Sequence, residues 1–589
     1  MLLLILFVNL LLNVVVAKKN ILFIIIDDLR PSLGCYGDAK AFTPNIDELS
    51  KKSIIFSRAY AQQALCAPSR NSLLTGRRPD TLQLYDFYSY WREAVGNFTT
   101  LPQHLKDYGY TTKSIGKVFH PGMSSNGSDD CPYSWTERPF HPYTNVYKDA
   151  SVCPTTNSTH LAQNLVKFIA SSLHYLPALY KIFATRFQIC PVCVDTMPNK
   201  TLPDIEILNA TRHFIQEQNE TRRPFFLAVG FQKPHIPLKY PDEYLRFHPL
   251  EKFQLPSHYN WPDNVSSVAY NPWIDLRKRE DVIDLHLQFP WQKIPDDFGR
   301  KIIQSYYAAV TYIDDMIGKV IQELETSGIL NNTIIVITSD HGWSMGEHAE
   351  WAKYSNFDVA VRVPLMISVP GLTYKTSNIW TEKKLNLQYG YKTGNELTRT
   401  SLRISTHSHY FKIVFLDALV ELVDVFPTVA HLAGAPIPVC PVSKNNIKID
   451  FEEKVRLPKL CSEGISLVPL IMSIVKRKEI PWKSAAFSQY PRPSIDPGLC
   501  PNSDKPRLHE IKIMGYTLKT DIYRYTVWVP FDSVTKIPDW RNVIAEELYD
   551  HVQDPEENSN IEELSRYYKL KKKFKKILKQ GWRKALPKH

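Results

Sequence analysis

Three runs of apolar residues, many of them β-branched, restrict the fold of this 589-residue chain most strongly. Residues 21–26 read ILFIII, residues 225–231 read FFLAVGF and residues 333–338 read TIIVIT. Such continuous runs are typical of β-strands that are covered on both faces. Between them lie helical patterns, as in residues 296–330, where apolar residues recur every three or four positions and Gly328 acts as a stop signal. The alternation predicts an α/β fold, with a large mixed sheet flanked by helices on both faces.

After about residue 440 the pattern of predicted secondary structure changes. Segments such as AAFSQYPRP, IKIMGYTLKT and YRYTVWVP are short, rich in β-forming residues and separated by turns. They predict a smaller C-terminal subdomain with a short antiparallel sheet at residues 441–565, following a main domain at residues 18–440. We expect the boundary in the loop between Cys440 and Cys461.

Polar and charged side chains follow all three apolar runs: Asp27, Asp28, Lys233, His235, Asp340 and His341. In an α/β fold, ligands bind where the carboxyl ends of strands meet. Three carboxylates from two strand ends suit a hard cation such as calcium, with magnesium as the competitor. Each Asp taken singly could instead cap a helix or form an Asx-turn, so the repeated arrangement carries the metal hypothesis.

The stretch LCAPSR at residues 65–70 places a cysteine at the start of a helical pattern. Pro68 fits the first turn of a helix, and Cys66 would then lie at the positive end of the helix dipole. Arg70, four residues on, would share its face. This environment favours a negatively charged nucleophile such as a thiolate. The residues alone leave open a second interpretation, a disulfide-bonded cysteine beside a structural arginine.

The net charge of +11 resides in the last 24 residues. Residues 566–589 contain nine Lys, two Arg and no acidic residue, while the rest of the chain has 60 basic and 60 acidic residues. A basic body that binds nucleic acid is therefore not supported. The tail has apolar residues at helical spacing and could contact an anionic membrane or an acidic polysaccharide. We favour the interpretation that it is a solvated, frayed terminus.

Several features place the chain in the secretory pathway. Residues 1–17 are apolar and end in Val15-Val16-Ala17, which predicts a cleaved signal peptide, although an uncleaved anchor is the alternative. Most of the nine cysteines should form disulfides in an oxidising compartment. Because the number is odd, at least one cysteine stays unpaired, and Cys66 is the candidate. Eight N-x-S/T sequons predict glycosylation at Asn97, Asn126, Asn157, Asn199, Asn209, Asn219, Asn264 and Asn331.

The sequence CAPSR followed by LLTGR matches the signature of the sulfatase family, which belongs to the alkaline phosphatase superfamily. The resemblance extends over nearly the whole chain after the leader, through GKVFHPG, KPHIP, TSDHGWSMGEHAEWAKYSNFD and SQYPRPS. It implies that a formylglycine-generating enzyme oxidises Cys66 to formylglycine (3-oxoalanine). Hydrated formylglycine carries two hydroxyl groups, of which one attacks sulfur and the other later expels sulfate, as an ordinary Ser or Cys could not.

The resemblance also implies roles for residues in the matching motifs. One calcium ion would be bound by residue 66 together with Asp27, Asp28, Asp340 and His341. Three side chains, Arg70, Lys117 and His120, would hold and deprotonate the hydrate. Two more, His235 and Lys353, would face the sulfate and the leaving oxygen, as acid or electrostatic stabiliser.

The motifs most resemble those sulfatases that hydrolyse the 2-sulfate of terminal iduronate in heparan sulfate and dermatan sulfate, in the lysosome or outside the cell. We expect Trp343 to line the sugar site, and Arg492 and Lys505 to bind the uronate carboxylate. The alternatives are a sulfatase for another sulfated sugar, a phosphodiesterase or phosphatase of the superfamily, and an inactive glycosaminoglycan-binding protein. Cys66 in the signature argues against the phosphatase.

The resemblance implies two disulfides, Cys153–Cys190 and Cys440–Cys461. Cys35 is expected to be a free buried thiol, and Cys131, Cys193 and Cys500 have no assigned partners. Three segments depart from the family pattern: an insertion at about residues 161–187, expected to be a surface or interfacial helix, residues 399–415, and the basic tail at residues 566–589.

Overall fold

A sheet of eight strands forms the centre of the main domain. The structure is a computed structural model and describes residues 18–147, 153, 187–221, 223–373, 402–408, 411–441, 458–476, 478–500 and 502–587. In chain order the strands of these residues are β1 (Asn20–Ile26), β2 (Ile54–Tyr60), β3 (Thr111–Gly116), β4 (Ile189–Val192), β5 (Phe225–Phe231), β6 (Leu238–Pro241), β7 (Thr333–Ser339), β8 (Ser344–Met345), β9 (Trp351–Ala352), β10 (Arg362–Ser368), β11 (Leu402–Ser408), β12 (Phe411–Glu421), β13 (Ala486–Arg492), β14 (Ile513–Lys519), β15 (Tyr523–Asp532), β16 (Ile537–Pro538) and β17 (Ala545–Asp550).

The described residues form thirteen α-helices, of which those of the main domain cover both faces of this sheet. They are α1 (Pro44–Ser50), α2 (Cys66–Thr75), α3 (Pro79–Leu82), α4 (Trp91–Ala94), α5 (Leu101–Asp107), α6 (Pro203–Thr221), α7 (Ile274–Arg277), α8 (Glu280–Ile283), α9 (Asp296–Thr326), α10 (Asp358–Val361), α11 (Val425–Leu432), α12 (Val468–Lys476) and α13 (Tyr568–Gln580). The long helix α9 ends just before Gly328, whose φ of +70° requires the left-handed region that glycine tolerates.

The three apolar runs lie side by side in the large sheet, whose order is β11-β12-β2-β10-β7-β1-β5-β3. The strand β1 pairs in parallel with β5 and β7, while β10 runs antiparallel to β7. Alternate residues of β1 face two separate apolar cores, Leu22, Ile24 and Ile26 on one side and Ile21, Phe23 and Ile25 on the other. The predicted α/β fold, with a mixed sheet covered on both faces, is thereby confirmed.

Residues 399–415, which depart from the family pattern, include strand-forming backbone. The strand β11 pairs antiparallel with β12, and β12 pairs in parallel with β2. This segment therefore extends one edge of the large sheet. The predicted leader at 1–17, residues 161–186 of the predicted insertion and the sequon at Asn157 lie outside the described residues.

The C-terminal subdomain contains the predicted small antiparallel sheet. Its main strands follow the order β13-β14-β15, and β17 pairs with the other edge of β15. The prediction that the basic tail is a frayed terminus is wrong, because residues 568–580 form α13, which packs on this sheet. Phe574 and Leu578 are buried against β15, where Phe574 lies 6.0 Å from the ring of Tyr525. The apolar residues that recur at helical spacing in the tail thus belong to the core of the subdomain.

Both implied disulfides are present, Cys153–Cys190 and Cys440–Cys461. The remaining cysteines are free, and Cys35 is buried as expected. All seven described sequon asparagines are exposed, which leaves each accessible for glycosylation. Among the described residues, the helices are too short or too polar to cross a membrane.

Candidate active site

The carboxyl ends of β1 and β7 bring four of the predicted metal ligands together in the interior. Because β1 and β7 are parallel and in register, with Ile26 opposite Ser339, the residues that follow them lie side by side. The backbone N–H of Asp28 donates to Asp340 Oδ1 over 3.1 Å. Ligand atoms of Asp27, Asp28, Cys66, Asp340 and His341 all lie within 4.8 Å of one another, and all five residues are buried.

Arg70 connects this cluster to the helix that begins at Cys66. Its Nη2 donates to Asp27 Oδ1 and its Nε to Asp340 Oδ2, each over 2.9 Å, and the guanidinium is fully buried. The sequence placed Arg70 one turn along α2 from Cys66, and the helix begins at Cys66 as predicted. A buried arginine with two carboxylate partners fixes the position of both strand ends relative to residue 66.

Two lysines and a histidine surround the sulfur of Cys66. Lys353 Nζ lies 3.0 Å from Sγ and 2.7 Å from Asp28 Oδ1, and His341 Nε2 lies 3.3 Å from Sγ. Lys117 Nζ is 3.8 Å from Sγ and 2.5 Å from Asp27 Oδ2. Residues from two other motifs, GKVFHPG and TSDHGWSMGEHAEWAKYSNFD, therefore converge on the sulfur of Cys66.

The close approach of β3 and β5 positions Lys117. Gly230 in β5 packs against the backbone of Lys117, and a Cβ at Gly230 would lie 2.0 Å from the Lys117 carbonyl oxygen. Only glycine permits this contact, which brings the residue after β3 beside Asp27.

Burial dominates the protonation of Cys66. It raises the pKa of the thiol to about 12, outweighing the nearby charges of Lys117 and Lys353. An unmodified thiol here would be protonated at neutral or acid pH and would be a weak nucleophile, because the thiolate is the reactive form. The environment therefore disfavours the thiolate interpretation of Cys66.

The carboxylates differ in their response to burial. Burial would raise the pKa of Asp27, but the charges of Lys117, Arg70 and Lys353 outweigh it, so the pKa lies well below its ordinary value. For Asp28, burial raises the pKa despite the charge of Lys353. Asp28 also has a left-handed backbone, with φ of 63°, which is uncommon outside glycine and is found at functional sites.

The donor set fits a hard divalent cation. Asp28 Oδ2 is buried and has no hydrogen-bond partner among the described residues, an arrangement that is costly unless a ligand supplies the partner. Three carboxylates face the cations Arg70, Lys117 and Lys353, so the cluster is close to neutral by itself. A divalent ion would make it positive, which favours binding of an anion.

His120 and His235 lie at the edge of the same cluster. Burial, followed by the charge of Lys117, lowers the pKa of both imidazoles well below its usual value, so both are neutral. His235 Nδ1 lies 2.6 Å from the Ile236 carbonyl, which leaves Nε2 free of that contact. His120 Nδ1 is buried without a partner among the described residues.

Two of the three predicted substrate residues are placed differently from our expectation. Trp343 is fully buried and stacks on Tyr306, with ring centroids 5.3 Å apart, so its ring does not line an open sugar site. Arg492 is also buried, and its N–H groups donate to backbone carbonyls, including those of Val268 and Tyr354. Its donors are thus engaged by the main chain, which does not match the expected role of Arg492 as a carboxylate ligand.

Lys505 is partly exposed and lies beside the cluster. Its ammonium pairs with Asp275 and lies 5.9 Å from the ring centre of Tyr354, the neighbour of Lys353. The Tyr354 hydroxyl donates to the other oxygen of Asp275. Buried Asp504 adds a second carboxylate whose oxygens have no hydrogen-bond partner among the described residues.

Sequence reasoning missed Asp275, Tyr354 and Asp504. Asp275 lies in no recognisable motif, whereas Tyr354 and Asp504 are next in sequence to residues predicted for the site. The local signal for the last two was adjacency to Lys353 and Lys505. No local signal marks Asp275, because its partners come from segments 79 and 230 residues away.

Comparison with known proteins identifies the family. The model of the family described as Sulfatase matches residues 19–435. The chain is 44% identical to the iduronate 2-sulfatase of Mus musculus over 548 residues, covering 92% of this chain and 90% of the relative. It is likewise 44% identical to the iduronate 2-sulfatase of Homo sapiens over 543 residues, with the same shares covered.

A solved structure of lower identity shares the fold. The phosphonate monoester hydrolase SpPMH from Silicibacter pomeroyi aligns with a TM-score of 0.61 and 18% identity, over 97% of this chain and 96% of that protein. The fold alone therefore does not show whether the chain hydrolyses sulfate or phosphonate esters. The match of residues 19–435 to the family described as Sulfatase indicates sulfate esters. The chain belongs to the sulfatase family, and it is a sulfuric ester hydrolase.

Proposed function

We propose that this enzyme hydrolyses the 2-sulfate ester of terminal iduronate in heparan sulfate and dermatan sulfate. The observation that carries the proposal is the 44% identity to two iduronate 2-sulfatases over 92% of the chain, together with the convergence of Lys353, Lys117 and His341 on Cys66. The exposed sequons and the two disulfides support action in the secretory pathway, in the lysosome or outside the cell.

The proposal includes conversion of Cys66 to formylglycine, whose hydrate supplies a nucleophilic hydroxyl and a second hydroxyl that allows sulfate to leave. Asp27, Asp28, Asp340 and His341 would bind one calcium ion together with residue 66. This ion supplies charge that polarises the sulfate group. Its preference for several oxygen ligands matches the carboxylates of the cluster.

The remaining side chains have roles that follow from their contacts. Lys353 and Lys117 place positive charge beside residue 66, where anionic sulfate oxygens would lie. Arg70 holds Asp27 and Asp340 in position. Neutral His120 can accept the proton of an attacking hydroxyl, and His235 can donate one to the leaving oxygen once anionic substrate raises its pKa.

Calcium should stabilise and activate the enzyme. Binding only to the folded state at one hundred times the dissociation constant contributes about 2.7 kcal/mol, so the melting temperature should rise with added Ca²⁺. Protein treated with a chelator should lose turnover and regain it with Ca²⁺. The control is Asp28→Asn, which removes the unpartnered carboxylate and should abolish the Ca²⁺-dependent rise. Equal turnover before and after chelation would contradict the metal assignment.

Substrate choice is tested by comparing a 2-sulfated iduronate substrate with a simple aryl sulfate that lacks a carboxylate. We expect Lys505 to bind the carboxylate, and Asp275 and Tyr354 to hold Lys505 in place. Lys505→Met should raise KM for the iduronate substrate at least about tenfold, the value of one charge-assisted hydrogen bond, and leave the aryl sulfate unchanged. The matched control is Lys512→Met, at an exposed lysine of the same subdomain.

Each outcome separates the candidate functions. Turnover of the aryl sulfate alone would leave a sulfatase for another sulfated sugar. No turnover of either substrate by calcium-loaded protein would favour the inactive glycosaminoglycan-binding protein.

A further inference from the structure

The helix α13 presents a row of lysines to solvent. Five exposed lysines recur at helical spacing along its outer face: Lys569, Lys572, Lys573, Lys576 and Lys579. With a rise of 1.5 Å per residue, the row extends about 15 Å along the helix axis. The helix contains no acidic residue, so this face carries positive charge alone.

The two other lysines of α13 differ from these five. Lys571 pairs with Glu546 over 3.0 Å and with Glu562, and Lys575 pairs with Glu546 over 3.5 Å. Both lie at the border with the small sheet and help to attach the helix. None of the five outward lysines forms an ion pair with another described residue. Their charge is therefore available to a partner.

The apolar face of α13 is already used within the molecule. Phe574 packs against Tyr523 and Tyr525, with ring centroids 6.1 and 6.0 Å apart, and Leu578 is buried in the same cluster. A helix that lies in a membrane interface inserts its apolar face among the lipids. Here that face is covered by the small sheet, so only the charged face can meet a partner.

We propose that the outer face of α13 is a binding surface for sulfated polysaccharide chains, separate from the active site. A flexible polyanion carries closely spaced charges that match a row of unpaired lysines, and it needs no apolar contact. The surface would hold a chain near the active site while the end of the chain is processed, since residues 1–565 carry no net charge. The choice of polymer rests on the proposed function, whereas the cationic surface does not.

The test measures binding of the full-length protein to immobilised heparan sulfate at increasing salt concentration. A variant with Lys569, Lys572, Lys573, Lys576 and Lys579 changed to Gln keeps the helix-forming character and the packing of α13. The matched control changes five exposed lysines scattered elsewhere to Gln: Lys40, Lys252, Lys301, Lys459 and Lys478. Both variants lose the same total charge, so only the position of the charge differs.

We expect the α13 variant to bind at least about tenfold more weakly than the wild type at physiological salt, with a shallower salt dependence. The control should stay within about twofold of the wild type. Equal binding by the two variants would overturn the proposal. Capture of the wild type by phosphatidylserine vesicles but not by heparan sulfate would also overturn it, in favour of a membrane.

Turnover of a small sulfated substrate provides an independent readout. Both variants should retain wild-type turnover, because none of the ten lysines belongs to the active site. A protein that hydrolyses no iduronate sulfate but shows the α13-dependent binding would contradict the proposed function alone. A protein that hydrolyses it without that binding would contradict this inference alone.

Discussion

Replacing Cys66 by serine should reduce turnover of sulfate esters by on the order of 10⁴-fold or more, the scale of removing a nucleophile. The substitution prevents formation of the aldehyde hydrate, and a lone hydroxyl could attack sulfur but could not then expel sulfate. Steady-state kinetics on an iduronate sulfate or an aryl sulfate would show the loss.

The folded state should tolerate this substitution. A serine hydroxyl at position 66 can still meet Lys353 Nζ and His341 Nε2, which lie 3.0 and 3.3 Å from the sulfur. The melting temperature should therefore stay within a few degrees of the wild-type value. The matched control is Cys193→Ser, at an exposed free cysteine, which should keep full turnover.

The mass of the peptide that contains residue 66 provides the decisive observation. In active wild-type protein this peptide should carry formylglycine and lack the cysteine sulfur. An unmodified or disulfide-bonded Cys66 in fully active protein would contradict the mechanism, as would wild-type turnover by Cys66→Ser. The high pKa of the buried thiol explains why modification is needed, since an unmodified cysteine would stay protonated.

The sequence predicted those parts of the site that depend on neighbouring residues along the chain. The run ILFIII required a strand covered on both faces, and the residues after it had to lie at a strand end. The motif CAPSR required a helix that starts at Cys66 with Arg70 one turn later. These local rules were enough to bring Asp27 and Asp340 together, whereas the place of Cys66 beside them followed from the resemblance to the sulfatase family.

The parts that the sequence did not predict depend on contacts between distant segments. Trp343 follows a strand end, but its burial depends on stacking against Tyr306 from α9. In the sequence, Arg492 looks available to bind a carboxylate. In the structure, its N–H groups donate to backbone carbonyls such as that of Val268. The amphipathic tail would have the same pattern of apolar and basic residues whether it contacted solvent, membrane or protein. Phe574 is buried because the small sheet packs against it.

A buried charge network joins the helix of the active site to both sheets. Glu421, at the end of β12, accepts from Arg78 Nη1 and Nη2 over 2.7 and 2.9 Å and from Lys483 Nζ over 2.8 Å. It also accepts from the backbone N–H of Phe487 in β13. Arg78 lies just after α2, so the network couples the position of residue 66 to the docking of the subdomain.

Glu421→Gln should lower the free energy of unfolding by about 3–5 kcal/mol at neutral pH, because the buried charge of Arg78 would lose its carboxylate partner and Lys483 would keep only Asp424. Urea unfolding of the wild type and the variant measures the difference. The matched control is Glu48→Gln, which removes an exposed ion pair with Lys51 and should cost less than about 1 kcal/mol. Equal effects of the two substitutions would show that the network contributes no more than a surface pair.

The effect of Glu421→Gln should also depend on pH in a defined direction. Burial would raise the pKa of Glu421, but Arg78 and Lys483 outweigh it and lower the pKa to about 2, from an ordinary value near 4.5. A carboxylate whose pKa is lower in the folded state stabilises that state fully at any pH above its unfolded-state pKa. This stabilisation is lost as the pH falls towards the folded-state pKa.

A decrease of two to three pKa units corresponds to about 3 kcal/mol of stabilisation. The difference between wild type and variant should therefore be constant from pH 7 to pH 5, as in an acidic lysosome, and should narrow between about pH 4.5 and 2. A constant difference across that lower range would contradict the assignment of the charge to Glu421.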